Sequence, residues 1–338
     1  MSRISIGMWA AMALILAPLA GAQSYTVTDL GTLGGGYYSG AAGLNDFGTV
    51  VGYSSIGNGR YHAFVWTSGE GMRDLGVYTG DTNSEANGIN NDGDIVGTSL
   101  GFYYPVPLHA VLWRHGGPIQ EIGSLGGSDS FANAINNSGM IVGYSSLASG
   151  IDDAFLWTSS GGMQDLGTLP QGNGGSAKAI NDSGVIVGYS GAAPPALQHA
   201  FQWTKANGMQ DLGTLRGGVV SEANGINSSG IIVGYSNTEA DHEVPFIWTA
   251  SQGMRLFNVA LAGAYLSGIN ASNQIVGSNG SVAFLWTPSG HMQTLNSLVP
   301  PDSGWAFDEA VAINRAGQIA ARGTINGEEH AALLTPVK

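Results

Sequence analysis

From Tyr25 onward, apolar and polar residues alternate in runs of about five, each closed by Gly, Asn, Asp or Ser. Period two over stretches this short predicts half-buried β-strands. No segment holds the 3.6-residue apolar period of a helix. Residues 176–213 show the pattern clearly. A first strand at 176–180 meets the turn Asn181-Asp182-Ser183-Gly184, and a second strand follows at 185–190. A third lies at 198–204, and Lys205-Ala206-Asn207-Gly208 turns the chain into a fourth at 209–213.

This four-strand unit recurs seven times. A phrase of the form Ile-Asn-x-x-Gly-x-Ile-Val-Gly puts its Asn at Asn45, Asn90, Asn136, Asn181, Asn227, Asn270 and Asn314, in steps of 45, 46, 45, 46, 43 and 44 residues. Such a period is the length of one propeller blade, which buries its faces only against neighbouring blades. The predicted fold is all-β: a seven-bladed β-propeller of four-stranded blades. The last unit supplies three strands, at 310–314, 318–324 and 330–336. Tyr25-Thr26-Val27-Thr28-Asp29-Leu30-Gly31 matches the fourth-strand phrase Met163-Gln164-Asp165-Leu166-Gly167. The N-terminal strand is therefore expected to pair into the last blade and close the ring, leaving no open edge at the seam.

The third strand reads His62-Ala63-Phe64-Val65-Trp66 and His199-Ala200-Phe201-Gln202-Trp203, with weaker copies around Trp113, Trp157, Trp248 and Trp286. In these motifs the chain resembles the HAF-repeat family of bacterial extracellular repeat proteins. The likeness runs over nearly all of residues 23–338 and is weakest in the seventh copy, where Leu334 replaces Trp. It implies export and a repeat fold, and no particular reaction.

A residue that serves every blade is expected to serve the blade itself. The Trp side chains should fill the gaps between sheets. The Asn-x-x-Gly turns should supply a local side-chain acceptor and a Gly able to take positive φ. His62, His109, His199 and His330 should be structural. Equivalent positions in neighbouring blades lie roughly 10 Å or more apart, too far for one metal with bonds of about 2 Å.

Residues 1–22 read as a secretory signal peptide. Arg3 precedes an apolar run at 6–19, and Ala20-Gly21-Ala22 offers a cleavage site. That run is short for a membrane span. The expectation is a secreted or periplasmic monomer without a membrane span, whose single domain is 23–338. The chain has no Cys, so no disulfide framework and no thiolate metal site is expected. Eleven basic residues against 24 acidic ones, a formal charge of −13, argue against a nucleic-acid partner.

No G-x-S-x-G elbow, H-E-x-x-H pair or Walker loop occurs. Asn90-Asn91-Asp92-Gly93-Asp94 is similar to calcium loops of other propellers but lacks the acidic run and distal acid that give calcium enough oxygens. No cofactor is expected, and calcium is the weakly supported exception. Two loop classes, from fourth strand to next blade and from second to third strand, vary in length and should share one face, where binding usually sits. Candidate ligand residues there are Tyr37, Tyr38, Tyr78, Asp81, Phe102, Tyr103, Tyr104, Asp129, Asp241 and Trp305. Aromatics beside carboxylates suit a carbohydrate or a protein ligand, so the expected function is a non-catalytic binding module. The alternative is a polysaccharide- or peptide-directed hydrolase or lyase using Asp81, Asp129 or Asp241.

Overall fold

Each copy of the repeat folds into one four-stranded antiparallel sheet, and seven such sheets form the ring. The computed structural model describes residues 24–101, 107–114, 117–239, 242–289 and 291–337. Residues 1–22, read from sequence as a secretory signal peptide, and Phe102, Tyr103, Tyr104 and Asp241 lie outside the described residues. Blade 1 comprises Ser39–Leu44, Val50–Gly57, Arg60–Thr67 and Gly71–Gly76. Blade 4 comprises Gly175–Ile180, Ile186–Gly191, Gln198–Thr204 and Gly208–Asp211, within a residue or two of the positions read from its pattern. Among the described residues one helix occurs, the single turn Leu295–Leu298 between blades 6 and 7, capped by Thr294.

The seam closes as the strand count requires. Blade 7 holds Ala306–Ile313, Ile319–Ile325 and Glu328–Pro336, and its outer strand is Tyr25–Asp29. The pairing runs antiparallel from Tyr25↔Pro336 to Asp29↔Ala332. Tyr25 is buried, and its hydroxyl donates to the Gly317 carbonyl at 3.1 Å.

The core lies between blades. Trp113 of blade 2 packs with Val51, Ala63 and Val65 of blade 1, and Trp157 of blade 3 packs with Val96, Ala110 and Leu112 of blade 2. Four of the six repeated Trp residues are buried, while Trp248 and Trp286 are half-buried against their clusters. The second strand must approach the first closely. A Cβ on Gly52 would stand 2.0 Å from the Gly40 carbonyl oxygen, which is why the phrase demands Gly there.

At the inner edge, the seven repeated Asn side chains do more than turn the chain. Each Oδ1 accepts the N–H groups two and four residues on, as Asn136 does from Ser138 and Met140 at 3.1 and 3.0 Å. Each Nδ2 then donates to the backbone carbonyl of the corresponding Asn in the next blade. The links run Asn45 to Asn90 at 3.2 Å, Asn90 to Asn136 at 3.3 Å and Asn136 to Asn181 at 3.1 Å. They continue from Asn181 to Asn227 at 3.1 Å and from Asn227 to Asn270 at 3.2 Å. Asn270 to Asn314 and Asn314 back to Asn45, both 3.0 Å, complete the circle.

Candidate binding face

Both irregular loop classes meet on the face opposite the Asn turns. Tyr38, entering blade 1, forms a parallel bridge with Glu329 beside the second-to-third hairpin of blade 7. Gln198 and Val220 repeat that contact between blades 4 and 5, and the Leu197 N–H donates to the Val219 carbonyl at 3.0 Å.

At the seam of blades 7 and 1 this face carries a run of phenols. Tyr37 is 56% exposed and meets Tyr38 edge-on at 5.3 Å between ring centres. The backbone N–H groups of both donate to Ser55 Oγ, at 2.8 and 3.0 Å, which fixes the loop that presents them. Tyr38 meets Tyr53 at 6.3 Å, and Tyr53 meets Tyr61 at 6.2 Å. Behind them Arg322 pairs with Asp308, Glu309 and Glu329 at 3.3, 3.2 and 3.4 Å. Burial works against the Arg322 charge, but Glu309, Tyr53, Asp308 and Glu329 outweigh it and hold its pKa above the ordinary value. Burial, then Glu85 as neighbouring charge and hydrogen-bond partner, pushes Tyr61 up to about 12. Burial also raises the Glu85 carboxyl, partly offset by the bond from Tyr61.

Several sequence-derived candidates are committed elsewhere. Trp305 is 8% exposed, lies in the core between blades 6 and 7, and stacks on Phe307 at 5.1 Å, so it is not available at the surface. Asp81 pairs with His109 Nδ1 at 3.0 Å, its side chain only 6% exposed. Asp129 Oδ1 accepts the Leu108 N–H at 3.1 Å, tying the first strand of blade 3 to the third strand of blade 2. Tyr78 is half-buried against the core of blades 1 and 2, 5.3 Å from the His109 ring. Tyr37 and Tyr38 are thus brought together, while Tyr78, Asp81, Asp129 and Trp305 are held at separate stations.

Tyr53, Tyr61, Glu85 and Arg322 were not among the candidates. For Tyr53 and Arg322 the signal lay in the second strand, where a Gly-Tyr-Ser phrase such as Gly52-Tyr53-Ser54 recurs and looks like repeat filler until blades are aligned. Arg322 then stands in blade 7 where Tyr53 stands in blade 1. A second polar patch surrounds an open cavity of about 400 Å³ between blades 3 and 4, lined by Tyr144, Asp152, Asn173, Tyr189 and Gln198. Lys178 lies 5.4 Å over the Tyr189 ring and pairs with Glu222 at 3.2 Å.

Among the described residues, no three His, Asp or Glu side chains gather as a metal cluster. In the turn at Asn90, Oδ1 is already used by the N–H groups of Asp92 and Asp94, at 3.1 and 2.9 Å. His62, His199 and His330 each hold a carboxylate of the neighbouring strand: Asp74 at 2.8 Å, Asp211 at 2.9 Å and Asp29 at 2.9 Å.

No protein-family model matches the chain, and no curated protein sequence does. Solved structures are similar in fold. Virginiamycin B lyase from Staphylococcus aureus aligns over 93% of this chain and 99% of its own, with 10% identity and a TM-score of 0.55. A streptogramin B lyase structure aligns over 94% and 100%, with 10% identity and a TM-score of 0.53. A puromycin-hydrolyzing peptidase of Mycobacterium tuberculosis aligns over 90% and 50%, with 12% identity and a TM-score of 0.50. At such identities the likeness concerns the propeller alone.

Proposed function

We propose that the chain is an exported, monomeric binding module of the HAF-repeat kind, secreted or periplasmic, which takes a carbohydrate on its variable-loop face without turning it over. The observation that carries this reading is the exposed Tyr37 ring, backed by Tyr38, Tyr53 and Tyr61 and flanked by Glu329 and Arg322. Flat rings offer a sugar its apolar face, and the charged groups beside them offer hydrogen bonds to its hydroxyls. Acid–base chemistry fits less well. Asp81 and Asp129 are spent on structural bonds, and Asp308, Glu309 and Glu329 share one guanidinium.

The test is a glycan and protein array probed with residues 23–338, followed by calorimetry on any hit. Each stacking ring contributes on the order of 1 kcal/mol, so replacing Tyr37 and Tyr38 together by Ala should weaken a glycan about tenfold or more. Tyr37→Ala alone should leave melting unchanged, because that ring is largely exposed. Only protein hits, or unchanged affinity in the double variant, would overturn the proposal. Turnover of a bound glycan would favour a hydrolase or lyase instead.

A further inference from the structure

One polar contact recurs between third and fourth strands, and blade 3 breaks it. In blades 1, 4 and 7 the contact is the His–Asp pair described above. The Asp stands in register with the third-strand residue two beyond the His: Phe64↔Asp74, Phe201↔Asp211 and Ala332↔Asp29. Its Oδ1 also accepts the N–H of the Gly two residues on, at 2.7 Å in blades 1 and 4 and 2.8 Å in blade 7. Blade 2 keeps the imidazole, His109, and pairs it with Asp81. Blades 5 and 6 put Val244 and Val282 in the His position, with Leu256 and Thr294 in the Asp register.

Blade 3 has the same register, Phe155↔Asp165, and the same 2.7 Å bond from Gly167 to Asp165 Oδ1. The His position is Asp153. Two carboxylates therefore stand where other blades put a carboxylate and an imidazole. Asp153 is 6% exposed, and its Oδ1 is fully buried with no hydrogen-bond partner. Burial first, then the Asp165 charge, raises its pKa, and the Gly174 N–H opposes this only in part. A buried, orphaned carboxylate oxygen in a station shared with a second carboxylate is costly unless something positive joins them.

We propose that Asp153 and Asp165 bind a divalent cation of the calcium class in the station that His occupies in blades 1, 4 and 7. The donors are hard oxygens, as calcium prefers, and Asp165 is exposed, so water completes the coordination. With only two carboxylates the affinity belongs to the weak extracellular class, about 10⁻⁴–10⁻³ M. The site is separate from the sugar-binding proposal and stands or falls without it.

Calorimetric titration of calcium chloride into the purified chain should show one saturable site. About 10 mM calcium, against sodium chloride of equal ionic strength, should raise the melting temperature by a few degrees through binding to the folded state alone. Asp153→His restores the pair that blades 1, 4 and 7 already use, so it should fold, lose the calcium heat and melt independently of calcium. Asp165→Asn should lose the heat as well. No saturable heat up to about 10 mM, or equal calcium binding by Asp153→His, would overturn the assignment. So would a gain in stability on lowering the pH to about 5 with no calcium response, since a shared proton would then join the carboxylates.

Discussion

Replacing Asn136 by Ala tests whether the inner circle of amides holds the ring together. The side chain is 4% exposed and makes three hydrogen bonds: two accepted within its own turn and one donated to Asn181 of blade 4. At about 1 kcal/mol net for each, the loss comes to roughly 3 kcal/mol, before counting the Asn181 carbonyl deprived of its cross-blade donor. For a fold of this length, about 2.1 cal/mol/K per residue gives an unfolding entropy near 0.65 kcal/mol/K, so the midpoint should fall by about 4–5 °C. Asn136→Asp separates the two halves of the interaction. It keeps the acceptor within the turn, loses the donor, and sets a carboxylate against a carbonyl oxygen. The comparison is Asn137→Ala at the next position, an exposed side chain whose Oδ1 accepts the Asn91 N–H at 2.8 Å and whose amide donates to Asp182 at 2.9 Å; with water able to replace both bonds, it should cost less, about 1 kcal/mol. Calorimetric melting of the three variants decides the matter. If Asn136→Ala melts with the parent, or falls no further than Asn137→Ala, the circle is incidental and the blades are held by their apolar faces alone.

Removing residues 24–30 should strip the outer strand from blade 7, expose the edge of Glu328–Pro336 and lower the melting temperature, with aggregation visible by light scattering; a monomer that melts with the parent would refute closure by this strand. The Glu85 carboxyl, raised by burial, gives a pH dependence of definite sign. Its contribution is fully present below the unfolded glutamate pKa of about 4.3 and is lost as pH rises through the higher folded value. Glu85→Gln should therefore match the parent near pH 4 and be the more stable of the two near pH 7, as read by urea unfolding at each pH; a variant less stable at pH 7 would contradict the sign.

The ring architecture was legible because the repeat states it seven times and the odd strand at Tyr25–Asp29 can belong only to the blade that lacks one. The Asn turn was half legible. The Asx acceptor follows from local sequence, but the donor's target is a carbonyl one blade away, visible only once the blades are placed side by side. Asp81 misled for a related reason. Glu121 stands where the fourth-strand Asp stands in blade 1, and His109 pairs instead with a carboxylate from the loop. Trp305 looked like a loop aromatic, yet Leu295–Leu298 and Phe307 draw it into the core of blades 6 and 7. Of the phenols on the variable-loop face, Tyr37 and Tyr38 were read from their loop, whereas Tyr53 was hidden by repetition, because a Tyr found in several blades looks like filler until one blade substitutes Arg322.

The way the seam is closed also sets the order of assembly. Tyr25–Asp29 belongs to the sheet whose other three strands begin at Ala306, so the earliest-made strand of the ring finds its partners last. Asp29 and His330 are 301 residues apart, and joining ends that distant costs only about 3 kcal/mol more entropy than a ten-residue hairpin loop, since the cost grows with the logarithm of length. The larger consequence is temporal. Six blades can form from local hairpins while this strand waits unpaired, and the final long-range docking should be the slow kinetic phase. Five residues ending in a charged Asp make a short edge, which limits pairing with other chains during the wait.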